Sequence, residues 1–157
     1  MADSQSVTLA FTRALTELGF NYELQPNGQS LDLGFRLGPD CDVHMRLMFR
    51  QADCVQEIYA SLLCPADRAL DMLALINMIH RAIAHACIIL MPTGQLMCRS
   101  CLYTDPLPGQ ELIRSFLLEP LSLMQRILPA CRMIADGKSV AEAAQTLGAQ
   151  ERNGMLN

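Results

Sequence analysis

The stretch from Ala66 to Tyr103 constrains the fold more than any other, because its hydrophobic spacing changes period midway. Leu70, Leu73, Asn77, Arg81 and Ala84 follow one helical face, and Met72, Ile76, Ile79 and Ile83 follow another. Steps of three and four residues mark an α-helix, and two apolar faces predict that it is covered on more than one side. Pro65 suits the entry, where a missing amide hydrogen costs nothing, and Asp67 and Asp71 suit the positive N-terminal end. Asp71, Asn77, His80, Arg81 and His85 interrupt the apolar run, leaving nothing near the ~20 residues a membrane span needs. The expectation is a buried helix through Ala84.

After it the period falls to two. Cys87-Ile88-Ile89-Leu90-Met91 is a short apolar run, and Pro92-Thr93-Gly94-Gln95 supplies turn chemistry. Leu96, Cys98, Ser100 and Leu102 then face one way, while Met97, Arg99, Cys101 and Tyr103 face the other. This predicts a β-hairpin, with its first strand, apolar on both sides, in the middle of a sheet.

Upstream, Ser6 is placed to cap a first helix through Leu18, with Val7, Ala10, Phe11, Ala14, Leu15 and Leu18 as its buried stripe. Alternating runs follow at Phe20–Leu24, Leu31–Leu37 and Val43–Phe49, separated by Pro26-Asn27-Gly28 and Gly38-Pro39-Asp40. Cys54 to Leu63 reads as a fourth strand with poorer alternation, giving an antiparallel meander. Downstream, Gln110 to Ala135 is helical in pattern, but Pro120 and Pro129 predict a kink or break near Glu119 and Leu128. Asp136-Gly137 is a stop signal, and Ser139-Val-Ala-Glu142 is a capping box opening a short helix to Leu147. The order α-β-β-β-(β)-α-β-β-α-α describes an α+β fold, one antiparallel sheet with helices packed on one face. The 157 residues suit a single domain, with 1–5 and 149–157 expected to fray.

Composition removes several function classes. A net charge of −4 without a basic run argues against binding nucleic acid, and the absence of Trp leaves no base-stacking platform. No basic-then-apolar leader opens the sequence, so the expectation is a cytoplasmic protein. The seven scattered cysteines fit reduced thiols acting as small hydrophobes.

The motifs that tempt a chemical reading are few. Cys98-Arg-Ser-Cys101 has the spacing of zinc ribbons and thiol oxidoreductases, but within a strand those sulfurs point to opposite faces. His80 and His85 lie about 140° apart around a helix and do not share a ligand easily. His44, beside Arg46 and Arg50, allows a small anion site, although a solvated face explains it better. With no phosphate loop, nucleophile elbow or zinc-protease motif, the expectation is no enzyme, catalytic residue, cofactor or metal. Asn77, mid-helix among apolar neighbours, reads either as a structural polar clamp or as a water-touching edge residue. If helices cover the face of Val43, Leu47, Leu96 and Leu102, the other carries Met48, Met97, Cys101, Tyr103 and either Ile88 or Ile89, with Arg46, Arg50 and Arg99 among them. Met, Tyr and Arg are enriched in interface cores, so Met48, Ile88, Met97, Arg99 and Tyr103 are candidates for a homodimer or partner contact.

Three pieces of this chain resemble the YbjN-domain family of bacterial sensory-transduction regulators. They are the helix with Leu73-Ala-Leu-Ile-Asn77, the strand Leu96-Met-Cys-Arg99-Ser-Cys-Leu102, and the late run through Pro129 and Asp136-Gly-Lys-Ser-Val-Ala-Glu-Ala143. Ala84-His-Ala-Cys-Ile88 departs from the family's usual Gly/Phe-type strand entry. The resemblance implies a fold like that of type III secretion chaperones, and a dimeric, non-catalytic protein-binding module. A secretion chaperone for an effector is the alternative, and a thiol-dependent redox or metal-binding protein a second one.

Overall fold

The computed structural model describes residues 4–39 and 41–154, with side chains from 5 to 39 and 41 to 148. Its first helix, α1 (Ser4–Glu17), begins two residues before the expected cap, so Ser6 lies within the first turn. Of its expected stripe, Val7, Ala10, Phe11, Ala14 and Leu15 are buried, while Leu18, just past the helix end, is only half-buried. Phe11 makes edge contacts with Phe49 and Phe116, at centroid distances of 5.2 and 6.1 Å, tying helix to sheet.

Four antiparallel strands follow as a meander: β1 (Glu23–Leu24), β2 (Ser30–Gly38), β3 (Cys41–Phe49) and β4 (Asp53–Leu63). The first is only two residues long, so most of the alternation from Phe20 is not paired. A 3-10 turn (Ala66–Arg68) leads into α2 (Ala69–His80), and the hairpin β5 (Cys87–Leu90) and β6 (Gln95–Tyr103) comes next. The six strands run in the order β1-β2-β3-β4-β6-β5. Thus β6, not β5, is the inserted strand, and β5 is an edge; its apolar pattern reflects helix cover on one side and neighbouring strand side chains on the other.

Helix α2 stops at His80, short of the expected Ala84. The His80 Nε2 accepts the Ile88 amide hydrogen at 2.9 Å, so the helix end is fixed to the start of β5. Only one of its two apolar faces is covered: Met72, Leu75, Ile76 and Ile79 are buried, whereas Leu70 is 82% exposed and Leu73 and Asn77 also face outward.

The helix α3 (Gln110–Ala135) runs unbroken through Pro120 and Pro129, contrary to the expected break. Each proline removes one helical hydrogen bond. The burial of Phe116, Leu117, Leu121, Leu123, Met124, Ile127, Leu128 and Ile134 against the sheet and its neighbours outweighs that loss. At Gly137 (φ +91°) the Lys138 and Gly137 amides return to the Met133 and Ile134 carbonyls, closing the helix end. The Arg68 side chain also donates to the Ile134 and Lys138 carbonyls. The capping box then forms as expected, with Ser139 N donating to Glu142 at 2.9 Å and Glu142 N to the Ser139 hydroxyl at 3.3 Å. From it α4 extends over Val140–Gly154, which takes in 149–154 of the stretch expected to fray. Residues 1–3 and 155–157, also expected to fray, lie outside the described residues.

This is an α+β fold with one antiparallel sheet and its helices on one side. The core joins Leu31, Leu33, Val43, Met45, Leu47, Ile58, Ile88, Leu96 and Cys98 of the sheet to the buried stripes of the four helices. The C-terminal helices join that same side and leave the other sheet face uncovered. Among the described residues, no helix is long and apolar enough to cross a membrane.

A candidate protein-binding face

Register determines which residues share the uncovered face. Pairing aligns Ser30, Met48, Val55 and Cys101 in one transverse row across β2, β3, β4 and β6. The next row is Asp32, Arg46, Glu57 and Arg99, and the third is Gly34, His44, Tyr59 and Met97. Ile89 extends the third row on β5. A ladder of charges therefore crosses β2, β3, β4 and β6, negative, positive, negative, positive, with Glu23 of β1 beside Asp32 at its end, flanked by two rows that are mostly uncharged.

The ladder is bonded strand to strand. Arg46 donates from Nε to Asp32 Oδ1 at 2.8 Å and from Nη2 to Oδ2 at 3.3 Å. His44 and Gln25 reach the same carboxylate at 3.0 and 2.7 Å. On the far side Arg99 donates through Nε at 3.0 Å and through Nη2 to Glu57 Oε1, and the Tyr59 hydroxyl donates to Oε2. Burial pushes the Glu57 carboxyl up, but the bonds from Tyr59 and Arg99 outweigh it and hold the group below the usual range. Asp32 follows the same balance, with burial opposed by Arg46 and His44. Both carboxylates are therefore anions near neutral pH, lying beneath half-exposed guanidinium groups. His44 and Arg46 are already occupied by Asp32, so the anion site read from their sequence proximity is not formed.

The expected interface residues are only partly brought together. Met48 is half-buried, Arg99 exposed, and Tyr103 79% exposed at the end of β6, all on the uncovered face. Met97 is on that face too, but its neighbours leave it 3% exposed. Ile88 is not there: it pairs with Cys98, faces the helices and is 2% exposed, so Ile89 occupies the position. Asn77 makes no clamp, because its side of α2 faces solvent. The buried polar clamp is instead Gln56, which accepts from the Ser100 hydroxyl at 2.8 Å and donates to the Leu117 carbonyl at 3.2 Å. Sequence reasoning passed over Asp32, Glu57 and Tyr59, since their roles depend on cross-strand register. Their one local signal was a carboxylate on the same strand face as an adjacent arginine-bearing strand.

The remaining chemistry stays dispersed. Cys98 is buried on the helix side and burial pushes its thiol up to about 12, while Cys101 is exposed on the other face. Two thiols so placed do not converge on one atom. No group of three or more His, Cys, Asp or Glu side chains placed to hold a metal occurs among the described residues. A cleft of about 380 Å³ lies between the end of α2, α3 and α4, lined mainly by Met78, Ile79, Ile83, Leu123 and Ile127 with His85 and Arg126 at its polar margin.

An antiparallel sheet with helices on one face and an ordered polar row on the other defines a helix-backed sheet protein. Among solved structures it is similar to the crystal structure of "YbjN, a putative transcription regulator from E. coli", at a TM-score of 0.60 and 14% identity over 78% of this chain and 88% of that one. At that identity the likeness shows a shared fold. No family model matches the sequence, and no curated protein matches it.

Proposed function

We infer that this chain is a non-catalytic regulatory module that acts as one domain by binding protein through its uncovered sheet face. The observation carrying the reading is that face itself, in which Met48, Ile89, Tyr103 and the arginines of the ladder stand clear of every helix. Mixed apolar and arginine-rich surfaces of this kind suit protein contact. The fold shared with a protein described as a putative transcription regulator agrees with a regulatory role. The dispersed thiols and histidines offer no assembled nucleophile, base or metal cage, and all seven cysteines are free, as suits a reducing compartment such as the bacterial cytoplasm.

Quantitative capture with tagged protein tests this reading. Proteins retained by the wild type should be lost by Met48→Glu with Tyr103→Glu and kept by Leu70→Glu, which alters the exposed side of α2. Equal capture by a folded sheet-face variant would place recognition elsewhere and overturn it. Recovery of a secreted effector as the dominant partner would turn the regulatory reading into a chaperone one.

A further inference from the structure

The helix layer carries a feature that the sheet face does not use. The cleft of about 380 Å³ lies where the end of α2, the middle of α3 and the first half of α4 meet. Its floor is apolar: Ile79, Leu123 and Ile127 are buried in the core, and Met78, Ile83 and Leu147 stand on its walls. Ala82, Ala144 and Gly148 occupy positions where larger side chains would fill it, and a Cβ at Gly148 would meet open space. The walls are fixed without any occupant. The bond from the Ile88 amide to His80 pins the end of α2 to the sheet, and the turn at Gly137 with the Ser139–Glu142 box sets α4 against α3. A preformed apolar cleft of this volume with a few polar groups at its margin has the form of a small-molecule site.

The margin selects the ligand by charge. Among the described residues no Asp or Glu lines the cleft, and the exposed Arg126 side chain there makes no hydrogen bond or ion pair. The other polar lining residue, His85, is accompanied by a carboxylate: its Nε2 lies 4.0 Å from Glu119 Oε2, and Glu119 Oε1 accepts from the Ser115 hydroxyl. Glu119 precedes Arg126 by seven residues, about 10 Å along α3. The cleft therefore has an uncompensated cation at one end and a histidine–carboxylate pair toward the other. We propose that it binds a free amphipathic monoanion, an aliphatic carboxylate, with its tail against Ile79, Leu123 and Ile127 and its head accepting from the Arg126 guanidinium, away from Glu119. A single guanidinium fork matches a single carboxylate, and a volume at the small end of ligand sites suits a tail of about eight carbons. This site lies among the helices and stands apart from the protein-binding reading of the sheet face.

Calorimetric titration of the full chain with hexanoate, octanoate and decanoate, each below its micellar range, tests the assignment, with 1-octanol and octyltrimethylammonium as neutral and cationic comparators. Octanoate should bind once per chain, and affinity should rise about threefold per added methylene. Methyl resonances of Met78, Ile79, Ile83 and Ile127 should shift on addition, while those of Met48 and Ile89 on the sheet face should not. Arg126→Gln should weaken octanoate about tenfold and leave octanol unchanged. Ala82→Phe, at an exposed position on the wall, should abolish binding of both without lowering the melting temperature. No saturable binding, or methyl shifts confined to other surfaces, overturns the proposal. Equal affinity for octanoate, octanol and octyltrimethylammonium makes the cleft an unselective apolar surface and overturns it as well. If octanoate does not bind and Ala82→Phe instead removes a captured protein, the cleft belongs to a protein partner and the proposal fails.

Discussion

Gly94 shows how little freedom the hairpin turn has at a single residue. It sits at φ +84°, and a Cβ there would lie 2.5 Å from the Cys64 carbonyl oxygen, while its own carbonyl accepts the Cys64 amide at 2.8 Å. Gly94→Ala should therefore destabilise the chain by about 2 kcal/mol, from strain in the left-handed region plus the clash. A shift in the denaturant midpoint at unchanged slope measures it. The two mid-element amides make the complementary case. Gln56 is fully buried, so Gln56→Leu orphans the Ser100 hydroxyl and should cost about 1–3 kcal/mol, with part recovered in the double variant carrying Ser100→Ala. Asn77→Leu, on the solvent side of α2, should stay within about 0.5 kcal/mol of wild type. Equal losses at the two sites would show that burial does not decide between them.

At the scale of the element, α3 carries two interior prolines whose surroundings differ. Pro120 is buried and its ring contributes to packing, whereas Pro129 is exposed and only withholds an amide hydrogen. Pro129→Ala should accordingly stabilise the protein by about 1–2 kcal/mol, the helix propensity gained less the added freedom of the unfolded chain. Thermal melting reads the change, and a lowered midpoint would mean that the proline shapes a bend on which the packing of α3 depends. The hairpin illustrates a related point about strands. β5 is as apolar as a central strand, yet it lies at the edge, because periodicity records burial and not the number of paired neighbours.

For the whole molecule, the ladder couples stability to pH. The Asp32 and Glu57 carboxyls are held below their ordinary values in the folded chain. Their contribution is therefore complete above the unfolded pKa near 4 and is lost as pH falls through the lower folded values. Unfolding free energy measured by denaturant titration should decline below about pH 4, and Asp32→Asn with Glu57→Gln should flatten that decline. An unaltered acid limb in the double variant would show that other carboxylates set it.

The sequence by itself determined what depends on neighbours in the chain. The period of two at Leu31–Leu37, Val43–Phe49 and Leu96–Tyr103 specified the strands and sorted their side chains into two sets. The three-to-four spacing at Val7–Leu15 specified the first helix, and Ser139 with Glu142 specified the start of the last. These signals are local because backbone geometry repeats over a few residues. They also marked Cys98 and Cys101 as residues of opposite faces. Only the tertiary structure decided which apolar face of α2 meets the core, that Ile89 rather than Ile88 lies on the open side, and that β6 enters beside β4. It alone brought Asp32, Arg46, Glu57 and Arg99 into one row. Those four residues span 32 to 99 in the chain, and no local spacing encodes the register that aligns them.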